Sequence, residues 1–179
     1  MFSDQSILHE YGHHLQRMND TYALWPAVHD GCLAGTATST GFAWFEGFPS
    51  YFSIVAGRSS DRVNDITPWP MYYPAGSPSP HTVPSGTCTN PRPKEIEDYV
   101  TSLLLDLVEA KNISPSPHAP ALSRAELEAR VVSIWFRDMR GARAPGTKNM
   151  PTVDDFETAW NASFPASNTL TQLMHAYGM

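Results

Sequence analysis

The sequence predicts a mainly α fold with little or no sheet, and three observations support that prediction. Apolar residues recur every three to four positions near both ends of the chain. Ser123 and Glu126 form a capping-box pattern that is typical of a helix start. The alternation of apolar and polar residues that is typical of strands is weak throughout. We expect one domain, residues 1–179, with two helices in residues 1–57, a long Pro-rich loop in residues 58–92 and a helical part in residues 93–179.

Length and composition exclude several classes of protein. A chain of 179 residues, 41% apolar and 17% charged, suits one globular domain with a sizeable core. The net charge of −6 and the lack of any Lys/Arg cluster argue against a nucleic-acid partner. No run reaches the ~18 consecutive apolar residues that a membrane span requires. The sequence does not indicate an oligomeric state.

The first predicted helix runs from Asp4 to Met18, with Ser3 or Asp4 as its cap. It contains His-Glu-x-x-His. His9 and His13 are four residues apart and lie one above the other on a helix, so both can offer an imidazole nitrogen to one metal ion. The other side of this helix has an apolar stripe that we expect to face the core, formed by Ile7, Leu8, Tyr11, Leu15 and Met18.

The second predicted helix runs from Gly41 to Ala56 and contains a single acid, Glu46, among aromatic residues. Burying a bare carboxylate there is costly without a partner, which makes Glu46 a candidate third ligand. The alternative is a surface position for Glu46. Gly47 is expected to let this segment approach the first helix closely.

Pro49 constrains that second helix, because a proline has no N–H to donate to the carbonyl four residues earlier. Two arrangements are compatible with it. Either the helix begins near Phe48 and leaves Glu46 just outside, or it is kinked at Pro49.

The C-terminal part is predicted to hold four helices. A first-turn proline, Pro93, precedes the earliest of them. The predicted helices run from Glu95 to Lys111, from the Ser123 capping box onward, from the Thr152 cap onward, and from Asn168 or Ser167 to the end of the chain.

Two cysteines, Cys32 and Cys88, either form one disulfide or remain as buried thiols. Together with three Asn-x-Ser/Thr sequons, they favour an extracytoplasmic or secreted protein, although residues 1–4 do not resemble a signal peptide.

The motif His-Glu-x-x-His at residues 9–13, followed by Glu-Gly-x-x-x-x-Phe at residues 46–52, resembles the gluzincin branch of the zincin metallopeptidases. The resemblance covers about the first third of the chain. It implies a zincin-like catalytic core with its cleft between the first two helices, and one catalytic Zn²⁺ held by His9, His13 and Glu46. It further implies hydrolysis of a peptide or protein substrate by a zinc-bound water that Glu10 activates as general base.

Other branches fit less well. A metzincin would have glycine where Gln16 stands and histidine where Asn19 stands, and Asp30 fits an aspzincin ligand poorly. His29 is a weak alternative ligand, and His14 points about 100° away from His13 and is expected to flank the site only.

The chain also departs from the gluzincin pattern. Ser50 stands where many members carry an aspartate that orients a zinc-bound histidine, and Asp106 is a candidate substitute. No sequence for an upstream substrate-binding sheet precedes the motif, so either the chain is a C-terminal fragment or the Pro-rich loop supplies the cleft. The oxyanion stabiliser has several candidates, namely Tyr72, Tyr73, His81, His118, His175 and Tyr177.

Two alternatives stay open beside the peptidase hypothesis. One is a non-catalytic, zinc-stabilised peptide-binding module, or degenerate zincin. The other is a helical interaction domain without metal, whose partner-binding patch is the apolar cluster in residues 69–73.

Overall fold

The computed structural model describes residues 4–19, 40–59, 94, 97–110, 113–114, 120–139 and 151–179. Within these ranges the chain is helical and contains no strand, which confirms the mainly α prediction. No helix in the same ranges is long and apolar enough to cross a membrane. The helices are α1 (Asp4–Asn19), α2 (Thr40–Ser59), α3 (Glu97–Glu109), α4 (Arg124–Ser133) with a π-helical extension (Ile134–Asp138), α5 (Val153–Ser163) and α6 (Thr169–Ala176).

Two helices begin at the capping residues that the sequence indicates. At α4, the Ser123 hydroxyl accepts from the Glu126 backbone N–H, and the Glu126 carboxylate accepts from the Ser123 backbone N–H at 2.7 Å. At α5, Thr152 and Asp155 form the same reciprocal pair, with 2.8 Å from the Thr152 N–H to the Asp155 carboxylate. Each box provides partners for backbone N–H groups that a helix start otherwise leaves unpaired.

The α2 and α3 helices form the centre of the core. α2 packs on α1, α3 and α5, whereas α3 also packs on α4 and α6. Trp44 of α2 stacks on Phe156 at 5.2 Å between ring centroids, and Phe48 contacts Trp135 at 4.1 Å. Each fully buried large apolar side chain stabilises the fold by about 1.5–3 kcal/mol. The most deeply buried core residues are Phe48, Tyr51, Val100, Leu103, Leu104, Leu107, Val131, Ile134, Phe156, Trp160 and Leu170.

The side of α1 that faces the protein is the reverse of the one expected. The predicted core stripe is largely exposed: Ile7 is 57%, Tyr11 51% and Met18 73% exposed, and Leu8 and Leu15 are only half-buried. The buried side instead consists of Gly12, His13 and Gln16. The prediction was wrong because the apolar stripe alone does not identify the face on which α2 packs.

Gly12 permits the close packing of α1 against α2. A Cβ added to Gly12 would lie 2.9 Å from both Cα and Cβ of Pro49, which is closer than carbon atoms normally approach. A different partner was expected for Gly47. Its added Cβ would meet the Glu97 carbonyl oxygen at 2.7 Å, so Gly47 allows α3, not α1, to approach α2.

The α2 helix continues through Pro49 without interruption. The arrangement in which the helix begins near Phe48 is therefore wrong, and Glu46 lies in the helix, one turn after Phe42. Pro49 is buried and contacts Gly12, so its ring is part of the α1–α2 interface.

Several predictions lie outside the described residues. They concern the Pro-rich loop, the cysteine pair Cys32 and Cys88, the apolar cluster in residues 69–73, and His29 and Asp30.

Candidate metal centre

Three side chains from two helices meet between α1 and α2. His9 and His13 come from successive turns of α1, and Glu46 comes from the facing side of α2. Their ligand atoms all lie within 4.8 Å of one another. The sequence-predicted ligands are thus brought together, and the group could hold a metal ion.

The spacing of the three donor atoms can be compared with the spacing around a four-coordinate ion. The distances are 3.0 Å between His9 Nε2 and His13 Nε2, 3.4 Å from His9 Nε2 to Glu46 Oε2, and 3.2 Å from His13 Nε2 to Glu46 Oε2. A tetrahedral zinc ion with ligands at about 2.0–2.1 Å requires ligand–ligand distances of about 3.3–3.4 Å. The triangle formed by these atoms therefore fits three corners of such a tetrahedron within a few tenths of an ångström.

Glu46 and His13 are both buried, which makes an uncompensated charge on Glu46 costly. Glu46 is 3% exposed and His13 is 4% exposed. A carboxylate removed from water needs a cationic or hydrogen-bonding partner, because its desolvation is otherwise costly. The two histidines are the partners that the structure gives to Glu46 at its Oε2 atom.

The outer nitrogens of both rings also have partners. His13 Nδ1 lies 3.2 Å from Gln16 Oε1, and His9 Nδ1 lies 3.2 Å from Ser50 Oγ. An amide oxygen can only accept, so this contact favours the form of a neutral His13 ring with its proton on Nδ1 and with the Nε2 lone pair toward the centre. With His9 in the same form, three electron-rich atoms face one another and repel unless a cation or a proton lies among them.

Packing fixes the His13 ring in this orientation. The ring stacks on Phe45 with 4.5 Å between centroids and an interplanar angle of 28°. His9 stands edge-on to His13, with 4.7 Å between centroids and 84° between planes. His9 is less enclosed, with 23% of its side chain exposed, so the centre opens toward solvent on the His9 side.

Glu10 is exposed and follows His9 directly on α1. Within the described parts of the chain it forms no hydrogen bond or ion pair. Its carboxylate is therefore available to water next to the centre, as a general base requires.

The remaining candidates lie elsewhere. Asp106 accepts a 2.5 Å hydrogen bond from the Tyr177 hydroxyl, and it is Ser50 that contacts His9, so the expectation for Asp106 was wrong. The same bond engages Tyr177, one of the oxyanion candidates. Burial, followed by the Asp106 carboxylate, raises the pKa of the Tyr177 hydroxyl well above its usual value.

Two further histidines are exposed in the structure. His14 contacts the Tyr11 ring at 5.9 Å and points away from the centre, as expected. His175 is exposed on α6, which packs mainly on α3 and α5. The other oxyanion candidates, Tyr72, Tyr73, His81 and His118, lie outside the described residues.

Sequence reasoning treated Gln16 only as evidence against a metzincin and missed its contact with His13. The signal was available, because a residue three positions after His13 lies on the same face of a helix. An amide side chain one turn after His13, on the face of the helix that carries both histidines, was the feature to recognise.

The described residues define a class of protein: a helical fold with a buried cluster of two histidines and one glutamate between its first two helices. Comparison with protein-family models, with curated proteins and with solved structures gave no match, so no family is assigned to the chain.

Proposed function

We propose that the protein is a zinc-dependent metallopeptidase, with His9, His13 and Glu46 as the zinc ligands and Glu10 as the general base. The observation that carries the proposal is the meeting of these three side chains, with donor atoms 3.0–3.4 Å apart. The resemblance of residues 9–13 and 46–52 to the gluzincin pattern supports it.

Zinc is favoured over harder ions by the donor set. Two imidazoles and one carboxylate are typical of catalytic zinc sites, which leave a fourth position open, whereas Ca²⁺ and Mg²⁺ prefer oxygen ligands. When bound, zinc supplies Lewis acidity, which lowers the pKa of coordinated water toward about 7 and polarises a carbonyl group.

Residues of the chain would position the ligands, limit the access of water and transfer the proton. Ser50 and Gln16 hold the two imidazole rings, and the Phe45 ring excludes water from one face of His13. Glu10 would take a proton from the attacking water at its carboxylate and pass it to the leaving amine. That role needs Glu10 to remain accessible, which agrees with its exposure on α1.

A non-catalytic zinc-stabilised module that binds peptides is the second candidate. It is favoured by one observation: the two oxyanion candidates among the described residues lie elsewhere, because Tyr177 is engaged by Asp106 and His175 is exposed on α6. Without such a donor the ligand set could hold an ion but would stabilise the transition state poorly.

Cleavage of a mixed peptide library by the zinc-loaded chain distinguishes the two candidates. Glu10→Gln is run in parallel, since it keeps the size of the side chain and all three ligands while removing the base. Zinc content is measured in both samples. Cuts made by the wild type and lost in Glu10→Gln are the expected result.

Zinc bound by both samples, with no cuts in either, would support the binding module instead. A chain that takes up no zinc on titration would contradict both candidates. His14→Ala serves as the matched control, because it removes an exposed histidine of α1 and should leave zinc content and cleavage unchanged.

A further inference from the structure

Two uncharged side chains contact the outer nitrogens of the candidate zinc ligands. Gln16 lies against His13 Nδ1 and Ser50 against His9 Nδ1, each at 3.2 Å. Gln16 is 1% and Ser50 5% exposed. Because water has little access to either side chain, these contacts are fixed parts of the α1–α2 interface.

The Gln16 contact selects one form of the His13 ring. A neutral imidazole carries one proton, and an amide oxygen at Nδ1 holds that proton there. The Nε2 lone pair then faces His9 Nε2 at 3.0 Å and Glu46 Oε2 at 3.2 Å. Loss of the acceptor would allow the proton to populate Nε2, where it competes with the metal and lowers the affinity.

We propose that Gln16 is the positioning residue that holds His13 in its metal-binding form, while Ser50 fixes the orientation of the His9 ring. This inference rests on the proposed zinc centre and adds that an uncharged side chain contacts the Nδ1 atom of each imidazole. A neutral acceptor polarises an imidazole less than a carboxylate does. Zinc is therefore held less tightly than the same three ligands would hold it with carboxylates behind them.

Two substitutions of Gln16 change the hydrogen-bond acceptor at His13 Nδ1 in opposite ways. Gln16→Met keeps a similar length but removes the acceptor, and zinc affinity should fall by about 10–100-fold. Gln16→Glu supplies a stronger acceptor at the same place, and zinc affinity should equal or exceed that of the wild type. Zinc affinity is measured for the full chain by competition with a chromophoric chelator, and circular dichroism verifies helical content.

A matched control separates this role from a general effect on folding. Thr101 is fully buried and donates a 3.0 Å hydrogen bond to the Gly47 carbonyl oxygen on α2. Thr101→Val removes this buried hydrogen bond between α3 and α2 without changing a residue that contacts a proposed ligand. It should lower the melting temperature and leave zinc affinity unchanged.

The His13 ring itself supplies a readout that is independent of affinity. Long-range ¹H–¹⁵N NMR of the zinc-loaded chain should show a slowly exchanging Nδ1 proton on His13. That proton should persist in Gln16→Glu and exchange faster in Gln16→Met, because only Met lacks an acceptor.

The outcomes distinguish this inference from the proposed function. If the wild type and Gln16→Met bind zinc with equal affinity, the role of Gln16 is refuted and the zinc centre remains supported. An equal loss of affinity in Thr101→Val would also overturn it, since the effect would then be general. If Gln16→Met does not fold, Gln16→Glu decides, because an affinity below that of the wild type contradicts the proposal. Wild type that binds no zinc would refute the centre and this inference together.

Discussion

Replacing Gly12 with alanine tests whether the close contact of α1 and α2 sets the geometry of the proposed metal centre. The added Cβ would lie 2.9 Å from Cα and Cβ of Pro49, whereas carbon atoms normally pack at about 3.5–4.0 Å. The helices must therefore separate locally by about 0.6 Å or more. His9 and His13 lie on one helix and Glu46 on the other, so that separation changes the distances from the imidazoles to the carboxylate.

The cost to stability is small because two effects oppose each other. Overpacking of this kind costs about 1–3 kcal/mol, and alanine favours a helix over glycine by about 1 kcal/mol. The net cost is about 0–2 kcal/mol. At about 2–4 °C per kcal/mol for a chain of this size, the melting temperature should fall by no more than about 8 °C.

The cost to metal binding is larger, because helix propensity cannot restore ligand geometry. Metal–ligand distances tolerate only about ±0.2 Å. We expect Gly12→Ala to weaken zinc binding tenfold or more, which corresponds to about 1.4 kcal/mol or more. Isothermal titration calorimetry with zinc measures this directly, and His14→Ala is the control from the same helix.

One result would refute this reasoning. If Gly12→Ala folds and binds zinc within twofold of the wild type, the contact of Gly12 with Pro49 does not set the distance between the ligands. A melting temperature lowered by more than about 8 °C would show that the interface is less able to relax than assumed.

Three further predictions concern stability. Zinc at 100 times its dissociation constant should stabilise the wild type by about 2.7 kcal/mol, which raises the melting temperature by about 5–10 °C in a thermal shift assay. If zinc raises the melting temperature of Glu46→Ala by the same amount, Glu46 is not a ligand. Tyr177→Phe removes the hydrogen bond to Asp106 and should lower the melting temperature by about 2–8 °C. Burial and Asp106 raise the pKa of Tyr177 above its ordinary value of 10.0, so the folded state keeps the hydroxyl proton more tightly than the unfolded state does. The stability that this group contributes is therefore present below pH 10 and falls as the pH rises above 10. Urea unfolding at several pH values should show a less steep fall in Tyr177→Phe than in the wild type. Thr152→Ala removes the cap of α5 and should cost about 1 kcal/mol while zinc affinity stays unchanged; no change in melting temperature would show that the cap is dispensable.

Local patterns in the sequence predicted the helices and the three side chains that meet between α1 and α2. The pairing of His9 with His13 follows from helix geometry alone, and the caps at Ser123 and Thr152 follow from short-range hydrogen bonds. The third candidate ligand, Glu46, could be singled out because an isolated acid among aromatic residues requires a partner. Each of these features depends on neighbours within a few positions.

Features that depend on the contact between distant segments were predicted poorly. The exposed stripe of Ile7, Tyr11 and Met18 appeared suited to the core, but the opposite face packs on α2, where Gly12 allows a close approach to Pro49. Gly47 was assigned to the wrong neighbouring helix for the same reason. Which helix lies against a given face depends on the whole packing arrangement, and no single segment contains that information.

Because the proposed ligands come from two helices, occupancy of the centre depends on the docking of α1 against α2. The two histidines of α1 are close whenever that helix forms, but Glu46 joins them only when α2 docks. A cobalt ion at the proposed site would therefore give a visible absorption band that reports helix docking separately from helix formation. During unfolding, this band should disappear with the α1–α2 contact even where circular dichroism still detects helix.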